Sequence, residues 1–437
     1  MSLAWDVRSA SGTEVVPESW QVRRVGDLVT LTNGYPFPSD SFGPTGDTPL
    51  VRIRDLSGGP FETYVSGHIP PSVLLRDGDV IVGMDGDFNL VTWNRGRAAL
   101  NQRVCLLRAQ EGVDMRFIAY SLPSSLRIIN DLTFATTVKH LSSTDVLNER
   151  ITLPPLEEQR RIADFLDSET GRIDAIVEAQ NRFTAGLFER RSAGIVAAVM
   201  GHLHEDRRAS ELNWLKSLPT AWPVVRLGLV ARMGSGHTPS RSHPEWWVNC
   251  TIPWITTGEV SQVRNDRIED LYDTREKISE IGLANSAAEL HPKGTVFLCR
   301  TAASAGYSGV MGSDMATSQD IVTWTCGPRL DPYYLLWCLR AMRPDLLGRL
   351  AMGSTHKTIY VPDLQMLRIP LPPLDEQHEI VQRIRQANMR LDALADKVRQ
   401  QSALFRERRQ SLITAAVTGQ FDVFTASGRN VTEGVAV

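Results

Sequence analysis

The chain has 437 residues, 42% of them hydrophobic, and a formal charge of −3: enough for two or three domains with ordinary cores, and too little positive charge for nucleic-acid binding by bulk attraction, though a local basic face remains compatible with DNA. No apolar run reaches membrane-spanning length, and Met1 to Pro17 lack the basic-then-apolar pattern of a secretory leader, so the expected compartment is the cytoplasm, with no membrane partner. The five cysteines are never spaced Cys-x-x-Cys, which argues against both a disulfide framework and a zinc site.

In chain order, residues 1–16 are small and polar and are expected to form a flexible N-terminus. A first domain is expected over 17–153, with short β-branched or aromatic runs (Leu50 to Ile53, Val80 to Met84, Arg103 to Leu107) between Gly and Pro punctuation, and one short helix from Asp114 to Asn130. A long helix follows over 154–201. It opens Pro154-Pro155-Leu156-Glu157-Glu158-Gln159, with prolines tolerated at a helix start and acids suited to the positive end of the dipole. A linker, 202–218, leads to a second domain over 219–371, whose expected strands are Thr251 to Thr256, Val296 to Arg300 and Ile321 to Trp324 and whose short helix is Asp331 to Leu350. A second long helix covers 372–419, and a flexible tail covers 420–437.

The halves repeat. Pro372-Pro373-Leu374-Asp375-Glu376-Gln377 restates the first helix start at an offset of 218, kept without slip from Gln159 to Gln377 and from Gly201 to Gly419. Pro17-Glu18-Ser19-Trp20 is echoed by Pro219-Thr220-Ala221-Trp222 at an offset of 202, so the second domain carries about sixteen more residues. In the second helix Ile380, Ile384, Ala387, Leu391, Leu394, Val398, Phe405, Leu412 and Ala416 make a heptad-like seam. Two helices of about 45 residues, or roughly 65 to 70 Å, with no length difference suggest a spacer whose length matters. The expected fold class is α+β: two strand-rich mixed α/β domains separated by two long antiparallel helices packed as a coiled-coil-like spacer, with an internal pseudo-twofold repeat. Gly171, Gly186 and Gly194 weaken the first helix by roughly 1 kcal/mol each relative to alanine, and a bend is expected near Gly171.

The doubled Pro-x-x-Trp, the doubled Pro-Pro-Leu-[Glu/Asp]-Glu-Gln, each preceded by Thr-x-Lys (Thr137-Val138-Lys139, Thr355-His356-Lys357), and the long helices resemble the specificity subunit of type I restriction-modification systems over Pro17 to Gly419. The resemblance implies that each strand-rich domain is a target-recognition domain reading one half of a bipartite, asymmetric sequence in double-stranded DNA. It implies helices that set the spacing and dock two methyltransferase subunits, and it admits two motor-nuclease subunits. It also implies a chain with no catalytic activity and no cofactor of its own, S-adenosylmethionine, ATP and Mg belonging to partner subunits. Two other classes stay open: a stand-alone methyltransferase or nuclease, and a coiled-coil adaptor, including a subunit of another DNA-modification or defence complex without a nuclease.

Arg reads guanine and Asn or Gln reads adenine in the major groove. The candidates for base readout are Arg52, Arg54, Asn101, Gln102 and Arg103 in the first domain and Thr256, Thr257, Arg300 and Gln319 in the second, against the alternative of solvated surface or loop-holding hydrogen bonds. Lys139 and Lys357 recur at matching positions and suit phosphate contacts. Glu158, Gln159, Glu376 and Gln377 are candidates for partner binding, with helix capping as the alternative for the glutamates. The Glu189-Arg190-Arg191 and Glu407-Arg408-Arg409 clusters are candidates to lie along DNA between the two domains, with a solvated helix face as the commoner alternative. His202 and His204 lack a further clustered ligand, so no metal is expected. Asp331-Pro332-Tyr333-Tyr334 looks like an adenine-methyltransferase motif, but it aligns with Asp114-Met115-Arg116-Phe117 and is read as a helix start. No glycine-rich phosphate loop is found.

Overall fold

The computed structural model describes residues 17–132, 139–352 and 358–423. Its α-helices are α1 (Met115–Leu132), α2 (Ser143–Asn148), α3 (Leu156–Val199), α4 (Glu280–Ala284), α5 (Pro332–Asp345), α6 (Val361–Gln365) and α7 (Leu374–Val417). Two compact units divide the chain: Met1–Ala179 with Gln400–Val437, and Gln180–Arg399. Each unit therefore takes one strand-rich domain, part of the helix that follows it, and part of the other long helix.

Among the described residues the first unit holds a two-stranded ribbon, Gln21–Arg24 with Arg150–Leu153, and two larger sheets. One is antiparallel, in the order Val29–Asn33, Val104–Ala109, Val80–Gly83, Leu90–Thr92. The run Val80–Gly83 is buried at every position, as a continuous apolar strand in a sheet interior should be. The other sheet is mixed and centres on Thr48–Val51 running parallel to Ala98–Leu100. The second unit repeats both: Ala231–Ser235, Ile321–Cys326, Val296–Cys299, Ser308–Met311 and Asp270–Leu271 in one sheet, and a mixed sheet centred on Ile252–Ile255 parallel to Met315–Thr317. In the first of these sheets one strand has no counterpart. Asp270–Leu271 lies in the stretch that holds most of the extra residues, between the aligned pairs Ser57/Ser261 and Arg76/Pro292.

Both long helices run 44 residues. Gly201, at φ 62°, closes α3: its N–H donates to the Ala198 carbonyl at 3.0 Å and that of His202 to Ala197 at 3.1 Å, the paired bonds of a left-handed helix stop. Within the first unit Arg409 of α7 meets Asp174 of α3 at 3.0 Å, and within the second Arg191 of α3 meets Asp392 of α7 at 3.6 Å. These are one pair seen twice, each residue displaced by 218, and they fix the antiparallel sense. Of the expected seam Ile380, Ile384, Leu412 and Ala416 are buried, and Val381, Asn388, Ala395 and Ser402 are buried beside them, whereas Ala387 and Leu394 are exposed. Three of these inward positions, Asn388, Ala395 and Ser402, carry small or polar side chains, which counting apolar residues does not register.

Each domain is tied to its helices by polar contacts. In the first unit Arg116 of α1 reaches Asp164 and Asp167 of α3 at 2.7 and 2.9 Å, and Tyr120 donates to Asp167 at 2.7 Å. The carboxylates, Asp114 foremost, hold the Arg116 guanidinium above its usual pKa, and burial pushes the Tyr120 phenol up to about 12. In the second unit the contacts converge on Asn265 to Asp270, and Arg340, with a side chain 1% exposed, donates to the Asp266 and Ile268 carbonyls at 2.9 and 2.7 Å. Burial lowers the Arg340 pKa to about 10, which leaves it charged at neutral pH.

Candidate nucleic-acid interface

The two repeated sequence signatures meet each other. Trp20 donates its indole N–H to Glu158 Oε1 at 3.2 Å, and Trp222 donates to Glu376 Oε2 at 3.0 Å. The other Glu376 oxygen is hydrogen-bonded to His204 Nε2 at 2.5 Å. A Cβ on Gly419 would come within 2.5 Å of Pro17, and one on Gly201 within 2.6 Å of Pro219, so the glycine that ends one helix is the floor on which Pro-x-x-Trp sits. The glutamines complete the clasp. Gln159 accepts from Asp114 N at 2.9 Å and donates to the Pro154 carbonyl at 2.8 Å; Gln377 accepts from Asp331 N at 2.8 Å and donates to the Pro372 and Arg329 carbonyls, both at 2.9 Å. Gln159 is 1% exposed and Gln377 fully buried, so the clasp replaces the expected partner surface at these two positions: their amides are engaged inside their own units. Asp331 caps α5 by accepting from Tyr334 N at 2.8 Å, the helix start read from its alignment.

Above this base, the candidate base-reading residues gather at one edge of each mixed sheet. Parallel strands end on the same side, so Val51 beside Leu100 puts Arg52 next to Asn101, with Gln102 and Arg103 following in the turn. Likewise Ile255 beside Thr317 puts Thr256 and Thr257 close to Gln319. The chain crosses this edge at Gly34 and Gly236, where a Cβ would lie 1.9 Å from the carbonyl oxygen of Asn101 and of Thr317. Only glycine fits there.

The environments within this group differ. Gln102 is exposed, and Arg103 is exposed with Asp85 3.6 Å away. Asn101 is 7% exposed and joins the sheet through its backbone. Arg52 is half-buried and donates to Thr63, while its backbone N–H donates to Asp55 at 2.8 Å. Burial pushes the Asp55 carboxyl above its usual range, against the pull of Arg54 and Arg95. Arg54 is exposed and paired with exposed Glu62 at 3.1 Å. Thr256 and Thr257 are half-buried, Arg300 donates to the Gln319 carbonyl at 3.0 Å, and exposed Gln319 accepts from Thr238 at 2.7 Å.

Lys139 reaches the end of α1, donating to the carbonyl and side-chain oxygens of Asn130 at 2.5 and 2.9 Å, a favourable place for a cation. Two of its three N–H groups are thereby engaged. Lys357 lies outside the described residues, as do Thr137, Val138, Thr355 and His356. The next residue, Thr358, bridges to Thr301, as His140 bridges to Asp85 in the first domain. Sequence reasoning missed Asp85, His140, Tyr35 and Thr238, which share this edge. The signals were there: His140 adjoins Thr-x-Lys, and Tyr35 and Thr238 follow the repeated glycines.

Among the described residues no group of three or more His, Cys, Asp or Glu side chains is placed to hold a metal ion, and no helix is long and apolar enough to cross a membrane.

Comparison with known proteins agrees with this doubled architecture. The family model for the type I restriction modification DNA specificity domain matches twice, over residues 17–181 and 219–400. The chain is 30% identical over 425 residues to the type I restriction enzyme EcoBI specificity subunit of Escherichia coli, covering 94% of this chain and 88% of that protein. It is 24% identical over 433 residues to the MjaVIII specificity subunit of Methanocaldococcus jannaschii, covering 93% and 94%. A chain in a solved structure of a type I R-M system superposes with a TM-score of 0.68 at 22% identity, covering 94% of this chain and 100% of that one, which supports the fold. The chain therefore belongs to the type I restriction modification DNA specificity family. With two copies of the family's domain it is a DNA sequence-specificity subunit and not itself an enzyme.

Proposed function

We propose that this chain gives a type I restriction-modification complex its DNA sequence. Each domain reads one half of a bipartite, asymmetric site through the edge that carries Gln102 and Arg103 in one half and Arg300 and Gln319 in the other. The observation that carries this reading is that the repeat puts equivalent sheet edges in both domains but fills them with different side chains. Equivalent scaffolds with different base-reading groups suit two unlike half-sites. Lys139 and Lys357 position phosphates. The two long helices hold the half-sites at a set separation of about one turn, roughly 34 to 36 Å, and the repeat offers two like surfaces to two methyltransferase subunits. S-adenosylmethionine is bound by those subunits, and ATP and Mg by motor-nuclease subunits where these join.

The test is a genome-wide map of N6-methyladenine in cells with and without the gene. Loss of methylation at one split, asymmetric motif on deletion supports the reading and identifies both half-sites. An unchanged map in a host that expresses the whole system refutes it.

A further inference from the structure

The two domains differ at a face where the repeat leads one to expect likeness. In the Gln180–Arg399 unit, Asp270–Leu271 runs parallel along Ser308–Met311, and the outer strand is held by Val310 N donating to the Glu269 carbonyl at 2.8 Å and Gly312 N to Leu271 at 2.7 Å. The segment leading into it is clasped from several sides. Arg191 donates to the carbonyls of Asn265 and Asp266 at 2.9 and 2.7 Å, Arg343 grips the Asp266 carboxylate through both terminal nitrogens at 2.8 and 2.6 Å, and Arg385 donates to the Glu269 carboxylate through Nε and Nη2 at 3.0 and 2.6 Å.

In the other unit Leu90–Thr92 stands in the place of Ser308–Met311. It pairs with Val80–Gly83 as Ser308–Met311 pairs with Val296–Cys299, and Trp93 N donates to Asp79 at 2.7 Å as Met311 N does to Thr295 at 2.9 Å. That register matches Thr92 to Val310 and Asn94 to Gly312. Among the described residues, however, Leu90–Thr92 is the edge of its sheet. Beside it lies an open cleft of about 790 Å³ lined by Thr92, Asn94, Arg116, Arg127, Asp174 and Arg409 among others. Arg409 is the repeat equivalent of Arg191. Where Arg191 holds two carbonyls, Arg409 has the Asp174 carboxylate through Nε, and its terminal nitrogens have no acceptor among the described residues. Arg127, one residue along from the position equivalent to Arg343, is exposed and makes no ion pair among the described residues.

We propose that this cleft receives an extended, acidic segment of a partner protein, which adds as a strand to Leu90–Thr92 just as the chain's own Asp270–Leu271 covers the matching strand in the second domain. Arg409 takes backbone carbonyls of the segment, as Arg191 does, and Arg127 takes a carboxylate. A nucleic-acid backbone fits less well, because Asp167 and Asp174 line the same cleft and a strand edge offers amides at the spacing of a peptide. The proposal rests on the reading of the chain as one subunit of a larger complex.

The experiment uses the assembled, purified complex with the full chain carrying p-benzoylphenylalanine at exposed Thr92, irradiated with and without DNA, and the same probe at exposed Gln382 as the control. The expected product is a crosslink from position 92 to an acid-containing stretch of a partner subunit, mapped by mass spectrometry, with yield reduced about tenfold, the equivalent of one charge-assisted contact, by Arg127→Ala. Thr92→Pro, which removes an outward N–H at a position where edge strands tolerate proline, lowers protection of the 90–94 amides on assembly without changing the melting of the chain alone. Crosslinks only to DNA, only to this chain, or no more than the Gln382 control overturn the proposal. A complex that still methylates its motif while giving any of those results leaves the specificity reading standing and removes the cleft proposal alone.

Discussion

Replacement of Gln377 by alanine measures the clasp that seats the second domain on its helix. The side chain is fully buried and makes three hydrogen bonds, from Asp331 N and to the carbonyls of Arg329 and Pro372. Gln377→Ala leaves one N–H and two carbonyls without that partner. A buried polar group left unpaired costs about 1 to 3 kcal/mol, and a water admitted to the vacated space recovers part of this, so the expected loss is about 2 to 4 kcal/mol. Gln377→Glu should do no better, since a carboxylate still accepts from Asp331 N but cannot donate to either carbonyl. The matching Gln159→Ala, with two bonds to lose, should cost less. Urea unfolding followed by tryptophan fluorescence reports on the right unit, because seven of the ten tryptophans lie in Gln180–Arg399. A loss below about 0.5 kcal/mol, the range of neutral surface changes, or wild-type stability in Gln377→Glu, would refute the reasoning.

Other expectations follow from the same structure. Asp266→Asn removes the carboxylate facing Arg340 and Arg343 and should cost about 3 kcal/mol in the same unfolding assay, since it strands a buried guanidinium. His291 is 1% exposed and burial lowers its pKa below the ordinary value. The unfolded chain therefore takes up the proton first, so the second unit should lose stability as pH falls below about 6.5, and His291→Gln should flatten that acid limb in melting curves taken between neutral and mildly acidic pH. Gly186→Ala and Gly194→Ala should raise the stability of α3 by roughly 1 kcal/mol each, because nothing lies within 4 Å of an added Cβ at either position; a lower melting temperature would contradict this. Removing one heptad from both α3 and α7 shortens each by about 10 Å and should shorten the gap in the methylated motif by about three base pairs with both half-sites kept. An unaltered gap would defeat the spacer argument.

The parts of the fold legible in the sequence are those with local causes. A proline pair followed by acids, a heptad of apolar residues and a glycine stop are all written within one turn or one period, so α3 and α7 could be placed almost to the residue, and their equal length followed from counting. The strands Val80–Gly83 and Val296–Cys299 were equally plain as short apolar runs between turn residues. The repeat also showed which positions correspond, and with them the family.

Correspondence is not contact, and contact was decided only in three dimensions. Trp20 and Glu158 lie 138 positions apart and Gln159 finds its acceptor role 45 positions back, so nothing local could reveal that the signatures clasp one another rather than face a partner. The seam of α7 turned on whether Leu394 or Ala395 faces inward. Apolarity favours leucine, yet Ala395 is the buried residue and Leu394 is exposed. Likewise the repeat gives twelve residues added between Ser261 and Pro292, relative to Ser57 and Arg76, but not the pairing of Asp270–Leu271 with Ser308–Met311. The sequence by itself determined the repeat, the helices and the kind of side chain at each recognition edge. Tertiary structure decided which of those side chains are turned inward as clasps, because burial depends on what distant segment arrives to cover them.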